Sequence, residues 1–179
     1  MTMKDKILDA GEKRVRGRGF AAMSFRDLAN DVGIKSASVH YHFPTKHDLG
    51  EALVARYAEQ FKARLDRIDQ SALRPALDAY VALYANALVL NESICLCAVM
   101  GAEAIGLPES LNRRTKAFFD MNKGWLELLL QAHGVDAAAA HASMIVAVLE
   151  GGMIVASASN DRRLFDQAAR SAVLCIAKH

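Results

Sequence analysis

SFRDLANDVGIKSASVHYHFPTK, residues 24–46, is the stretch on which the reading of this chain turns. Ser24 stands where an N-cap is needed, and Asp27 three residues later adds a carboxylate beside the first turn, a variant of the capping box. The helix so begun is short and ends near Val32, because Gly33 suits the left-handed backbone of a sharp turn. A second short helix starts near Ser36 and cannot pass Phe43, since Pro44 disfavours helical geometry in the residue before it. Two short helices across a glycine turn form a helix-turn-helix, whose second helix lies in a major groove of DNA with its amino end against base edges. Lys35, Ser36, Ala37 and Ser38 are small or polar, which permits close approach there. Ala29 and Val39 are expected to make the buried contact between the two helices, with Leu28 and Phe43 turned to a supporting core.

Reading outward, a helix over about 3–16 carries Ile7, Leu8, Gly11 and Val15 on one face, and Gly17 and Gly19 let the chain turn above Phe20 and Met23. Downstream, Thr45 caps a helix with Asp48 three residues on. Its apolar positions, Leu49, Leu53, Tyr57, Phe61 and Leu65, carry it to about residue 66, long enough to connect two domains. Further helical patterns follow over 71–88, 94–105 and 109–133, with a break at 91–93 and stops at Gly106 and Gly134. Asp136 is expected to cap an Ala-rich helix to about 158, and Asn160 or Asp161 a last one ending near 177. The sum is an all-α chain of about nine helices, with a domain over 1–46, a larger one over 47–179 and a connecting helix from about 46 to 66.

The 179 residues, 53% hydrophobic, suffice for a real core. No apolar run approaches the ~18 residues of a membrane span, and residues 1–9 mix Lys with Asp, so the expected location is the cytoplasm with no membrane partner. Cys95, Cys97 and Cys175 are odd in number and lack metal-type spacing, so no disulfide framework is expected. Residues 1–67 hold 13 Lys and Arg against 9 Asp and Glu, the remainder 9 against 11. The positive excess thus sits at the end that would meet phosphate. Catalytic motifs are missing: there is no nucleophile with a nearby base, no HExxH, no glycine-rich phosphate loop and no clearly spaced pair of carboxylates. His40, His42 and His47 are explained by the second short helix and its exit rather than by a metal, and no cofactor is expected.

ILDAGEKRVRGRGF (7–20) followed by SFRDLANDVGIKSASVHYHFPTKHDLGEAL (24–53) resembles the DNA-binding domain of the tetracycline-repressor (TetR) family. The Gly-Phe, Ala-x-x-x-Gly and Tyr-His-Phe-x-x-Lys elements keep the family's order and spacing. The resemblance implies phosphate contacts from Ser24 and Arg26, a groove face from Lys35 to Val39, and fastening to the DNA backbone by Tyr41, His42, Thr45 and Lys46. His40 departs from the pattern, standing where an aromatic, usually Tyr, is common; its phosphate contact would be weaker, or pH-dependent if the imidazole protonates.

The resemblance further implies a homodimeric repressor on a palindromic double-stranded DNA operator, released by a small-molecule effector. The dimer seam is expected from Ile145, Leu149, Gly152 and Met153 with Leu164, Phe165, Ala168 and Ala172. The effector pocket is expected among Tyr80, Tyr84, Met100, Phe118, Met121, Trp125 and Leu129, with Glu103, Asn122 and His141 orienting a largely apolar ligand. One alternative is a repressor that senses oxidants or electrophiles through Cys95 or Cys97, against which their apolar setting argues. A helical enzyme and an architectural DNA binder are the others. The 112 residues after Arg67 exceed what a dimerisation stalk needs, which favours a sensor.

Overall fold

The computed structural model describes residues 1–91 and 94–176. Among these described residues there are nine α-helices and one short 3-10 helix, and no strand. The helices are α1 (Met3–Arg18), α2 (Phe25–Val32), α3 (Ser36–His42), α4 (Lys46–Leu65), α5 (Leu73–Asn91), α6 (Leu96–Ala102), α7 (Glu109–Ala132), α8 (Ala138–Ala158) and α9 (Arg162–Ile176), with the 3-10 helix at Ala104–Gly106. The all-α expectation holds. Residues 92 and 93 of the expected break at 91–93, and the expected end near residue 177, lie outside the described residues.

Local signals act as the sequence suggests around the helix-turn-helix. The Ser24 hydroxyl accepts from the Asp27 N–H at 3.2 Å and donates to the Asp27 carboxylate at 2.6 Å. Thr45 and Asp48 cap reciprocally: the Thr45 N–H donates to the carboxylate at 2.9 Å, and the Asp48 N–H donates to the Thr45 hydroxyl at 3.1 Å. Gly33 has φ +72°, and a Cβ there would meet open space, so backbone conformation alone demands glycine.

Three expectations are corrected. The single helix over 94–105 is instead α6 followed by the 3-10 turn, because Leu107 is extended ahead of Pro108 and Glu103 is engaged elsewhere. Asp136 does not cap α8: its N-cap is Ala137, at φ +49° and without a side-chain bond. Connecting α7 to α8, Gly134 at φ +72° lets the Val135 N–H reach back to the Leu130 carbonyl at 3.0 Å. Finally, α8 has the length and hydropathy of a membrane span. It is a core helix, packed against α5 and α9. Of the two cap candidates for α9, Asp161 accepts from the Arg163 N–H at 3.0 Å, while Asn160 supplies a left-handed residue at φ +48°.

The chain forms two compact units that do not divide at Lys46. The first comprises residues 1–59 and 96–117, so that α6, the 3-10 turn and the start of α7 join the helix-turn-helix in one body. The second comprises residues 60–95 and the chain from 118 onward. Thus α4 and α7 each contribute residues to both units.

Candidate nucleic-acid interface and effector site

In the first unit, Leu28, Ala29, Val39 and Phe43 are buried with Ile7, Val15, Leu49 and Leu53, which seats α2 and α3 on α1 and α4. The Arg14 guanidinium ties α1 to α2 by pairing with Asp31 and donating to the Asp27 carbonyl. Its proximity holds the Asp31 carboxyl below the usual range. Arg56 ties α4 back to α1, at 2.7 Å from Asp9 and 3.1 Å from Glu12. These pairs are partly solvated and orient more than they stabilise.

This packing leaves one face of α3 open. Lys35, Ala37, His40 and Tyr41 are exposed, Tyr41 to 84%; Arg26 of α2 is exposed as well, and Ser36, Ser38 and His42 are half-buried. Val39 is fully buried, so its side chain serves the α2–α3 packing and does not reach a groove. The hydroxyls of Ser24 and Thr45 are engaged in their caps. His40 is held by its own surroundings: its ring meets the Phe25 ring edge-on at 4.6 Å, and its Nδ1 lies 3.3 Å from the Pro44 carbonyl oxygen.

Lys46 is turned inward. Its ammonium donates to the Ala21 carbonyl at 2.9 Å and lies 4.9 Å from the centre of the Phe20 ring. Burial lowers its pKa, and the nearby Glu103 carboxylate opposes that shift. Glu103, expected in an effector pocket, instead accepts from the N–H groups of Phe20 at 2.8 Å and Ala21 at 2.7 Å. Gly19, at φ +89°, is required beside it, since a Cβ there would stand 2.5 Å from a Glu103 oxygen. Glu103 therefore belongs to the machinery that shapes the α1–α2 turn, and its partners 83 and 82 positions away leave no local trace in the sequence.

A histidine with serine and glutamate neighbours also occurs here. Ser110 Oγ and Glu51 Oε1 both lie 2.9 Å from the same nitrogen, His47 Nε2. A nucleophile relay needs the base and its orienting carboxylate on opposite ring nitrogens, so this group is a tie between α4 and α7 and not a hydrolytic triad.

In the second unit a polar cluster sits inside an aromatic shell. The Tyr80 hydroxyl donates to Asn122 Oδ1 at 3.0 Å and lies 3.2 Å from that of Tyr84, which is 3.4 Å from the same oxygen. The Asn122 amide donates to the Phe118 carbonyl at 2.9 Å. Trp125 stacks on Tyr80 with ring centres 5.4 Å apart, and Phe61 meets Tyr84 and Phe118 edge-on. Burial raises the pKa of both phenols, so both stay protonated donors. Of the expected pocket residues, Tyr80, Tyr84, Phe118, Asn122 and Trp125 thus come together. Leu129 is buried in the same unit, and Met121 and His141 are half-buried on α7 and α8. Met100 is buried in the first unit. Sequence reasoning missed Phe61, assigned to the connecting helix, and Glu150, a buried acid whose neighbours include Tyr84 and Cys95. Cys95 and Cys97 are both buried, Cys95 in the second unit and Cys97 in the first; Cys175 is exposed.

The residues expected at a dimer seam are largely used within one chain. Ile145, Leu149, Gly152, Met153, Phe165 and Ala172 are buried, with Leu164 and Ala168 half-buried. A Cβ on Gly152 would stand 3.4 Å from both Phe165 and Ala168, which marks the close approach of α8 to α9. What the same two helices expose is different: Ile154, Val155 and Leu174 are 43%, 51% and 50% accessible, and a Cβ on Gly151 would meet open space.

Comparison with known proteins places these features in context. Residues 7–53 match the model of bacterial regulatory proteins of the tetR family, and residues 74–171 match the C-terminal domain of LmrA/YxaF-like transcriptional regulators. The nucleoid occlusion factor SlmA of Marinobacter nauticus is 29% identical over 119 residues, which cover 65% of this chain and 60% of SlmA. IcaR of Staphylococcus aureus, a negative transcriptional regulator of the biofilm operon icaADBC, is 38% identical over 52 residues, 29% of this chain and 28% of IcaR. The matches thus span less than two thirds of either relative. A TetR transcriptional regulator from Legionella pneumophila superimposes over 98% of both chains, with a TM-score of 0.89 at 29% identity.

Proposed function

The chain belongs to the TetR family of bacterial regulatory proteins, and from that premise we propose that it is a cytoplasmic, homodimeric repressor. Its first unit reads a palindromic operator, and its second binds a small, largely apolar effector that releases the DNA. The observation that carries this reading is the open face of α3. Lys35, Ser36, Ala37, Ser38 and Tyr41 stand around a helix anchored from beneath by the buried Val39. Small and polar side chains at these positions suit base edges, while Arg26 beside them suits a phosphate.

A dimer presents two such helices, which must meet successive major grooves about 34–36 Å apart or a multiple of that. The exposed residues Ala147, Ile154 and Val155 on α8, with the half-buried Gly151 between them and Ser171 and Leu174 on α9, support a seam between two copies. Gly151 leaves room there for a partner helix. An effector releases DNA only by binding the DNA-incompetent arrangement more tightly than the competent one. The helices α4 and α7, with residues in both units, are continuous helical paths along which that preference is communicated.

Purified protein incubated with genomic fragments at near-physiological salt, in excess nonspecific competitor, is expected to give a specific footprint with dyad symmetry. A folded dimer that protects no fragment would overturn the repressor reading. Two variants refine it. Arg26→Ala is expected to reduce the slope of log affinity against log salt by about 0.9 for each phosphate no longer neutralised, and so by about 2 for a dimer. Lys46→Ala is expected to lower affinity with the slope nearly unchanged, because its ammonium already serves the Ala21 carbonyl. Titrations between 50 and 200 mM salt separate the two; equal slopes for both variants would reverse the assignment.

A further inference from the structure

We propose that the effector carries a cationic nitrogen, recognised by the carboxyl group of Glu150 on α8 inside the aromatic shell of the second unit. The inference rests on the reading of that unit as the sensor, and names the chemistry it senses.

Glu150 is 8% exposed, yet neither of its carboxyl oxygens closes a hydrogen bond. The Cys95 thiol and the Tyr84 hydroxyl are polar neighbours, but both oxygens remain unsatisfied in this conformation. The surrounding polar atoms are otherwise committed. The two phenols and the Asn122 oxygen bond one another, and the Asn122 amide is taken by the Phe118 carbonyl. One carboxyl is thus left over in a completed network, which is costly in a low-dielectric interior unless something else supplies the partner.

The character of the missing partner follows from its neighbours. Among the described residues of the second unit, the buried polar or charged residues are Asn122 and Glu150, so no buried Lys or Arg stands there to receive an anion. A wholly apolar ligand would leave the carboxyl as it is. An ammonium or amidinium would satisfy it, and the neighbouring rings of Tyr80 and Tyr84 would add cation–π attraction. Burial pushes the Glu150 carboxyl well above its usual range, so the free protein keeps it neutral. An arriving cation reverses this: the acid O–H bond breaks, the proton passes to solvent, and a carboxylate–ammonium pair forms. Tyr80 and Tyr84 are closed over in the free protein, so entry needs an opened arrangement. A ligand held there binds the opened arrangement better than the closed one.

Trp125 is the chain's only tryptophan and stacks on Tyr80, so its fluorescence reports the site directly. The full-length protein is titrated with phenylalkylamines carrying two to six methylenes and with the matching phenylalkanols, which keep the ring and chain but lack the charge. At least one amine is expected to produce a saturable change and to bind at least tenfold more tightly than its alcohol. Glu150→Gln, checked for an unaltered unfolding transition, should bring the amine down to the level of the alcohol. Equal binding of amine and alcohol, binding of neither class, or a folded Glu150→Gln protein that keeps the preference would each overturn the proposal. The amine–alcohol comparison on the wild-type chain decides the matter even if the variant fails to fold. A footprint on DNA, measured in the same preparation without probe, keeps the two readings apart: failure of the amines beside an intact footprint sinks only the cation.

Discussion

Glu103→Ala is expected to weaken operator binding at least tenfold while leaving the Tyr80–Trp125 cluster intact. The carboxylate is the acceptor for two successive backbone N–H groups, those of Phe20 and Ala21, and the Ala21 carbonyl in turn receives the Lys46 ammonium. Hydrogen bonds to a charged group contribute about 1.5–3 kcal/mol each. The site is half-buried, so a combined effect at the low end for two such bonds, about 3 kcal/mol, is the expected scale. The chain from Ala21 leads in three residues to Ser24, the cap that sets where α2 begins. Freed from its acceptor, the turn samples other conformations, and α2 and α3 are presented to DNA less often in the correct geometry. Fluorescence anisotropy with an operator fragment measures the weakening, and the slope of affinity against salt should stay constant because every phosphate keeps its partner. Faster amide exchange confined to residues 19–23 would accompany it. If affinity is unchanged, the clamp does not position the reading head.

Phe165→Ala is expected to destabilise the fold by about 3–5 kcal/mol, the range for removing a fully buried aromatic side chain. Phe165 is entirely buried and lies at the closest approach of α9 to Gly152 on α8. Its removal opens a cavity between α8 and α9. Ile154→Glu should behave in the opposite way. Ile154 is 43% exposed on the outward face of α8, so a carboxylate there costs the folded single chain little, within about 0.5 kcal/mol. It would, however, place charge in the apolar seam proposed between two copies. Urea unfolding and sedimentation velocity on both variants give the contrast: reduced stability for Phe165→Ala, and a well-folded monomer for Ile154→Glu. A stable dimer from Ile154→Glu would place the seam elsewhere.

The amino-acid sequence by itself determined the helix-turn-helix. Ser24 with Asp27, Gly33, Pro44, and Thr45 with Asp48 act over three or four residues, so their consequences are contained in the stretch where they occur. Apolar spacing likewise identified the inward faces of α1 and α4, because helical periodicity maps directly onto one side of a cylinder. Periodicity does not say what covers that side. Gly151 and Gly152 look alike in the chain; only the packing of α8 on α9 turns Gly152 toward Phe165 and leaves Gly151 open. Glu103 and Glu150 look like ordinary acids on helical segments. Tertiary structure makes one the clamp of a turn 83 positions away and the other a buried carboxyl beside Tyr84 whose oxygens close no hydrogen bond. The physical reason is common to all of these: secondary structure is decided by neighbours along the chain, whereas burial, hydrogen-bond partners and the charge state of a carboxyl are decided by neighbours in space.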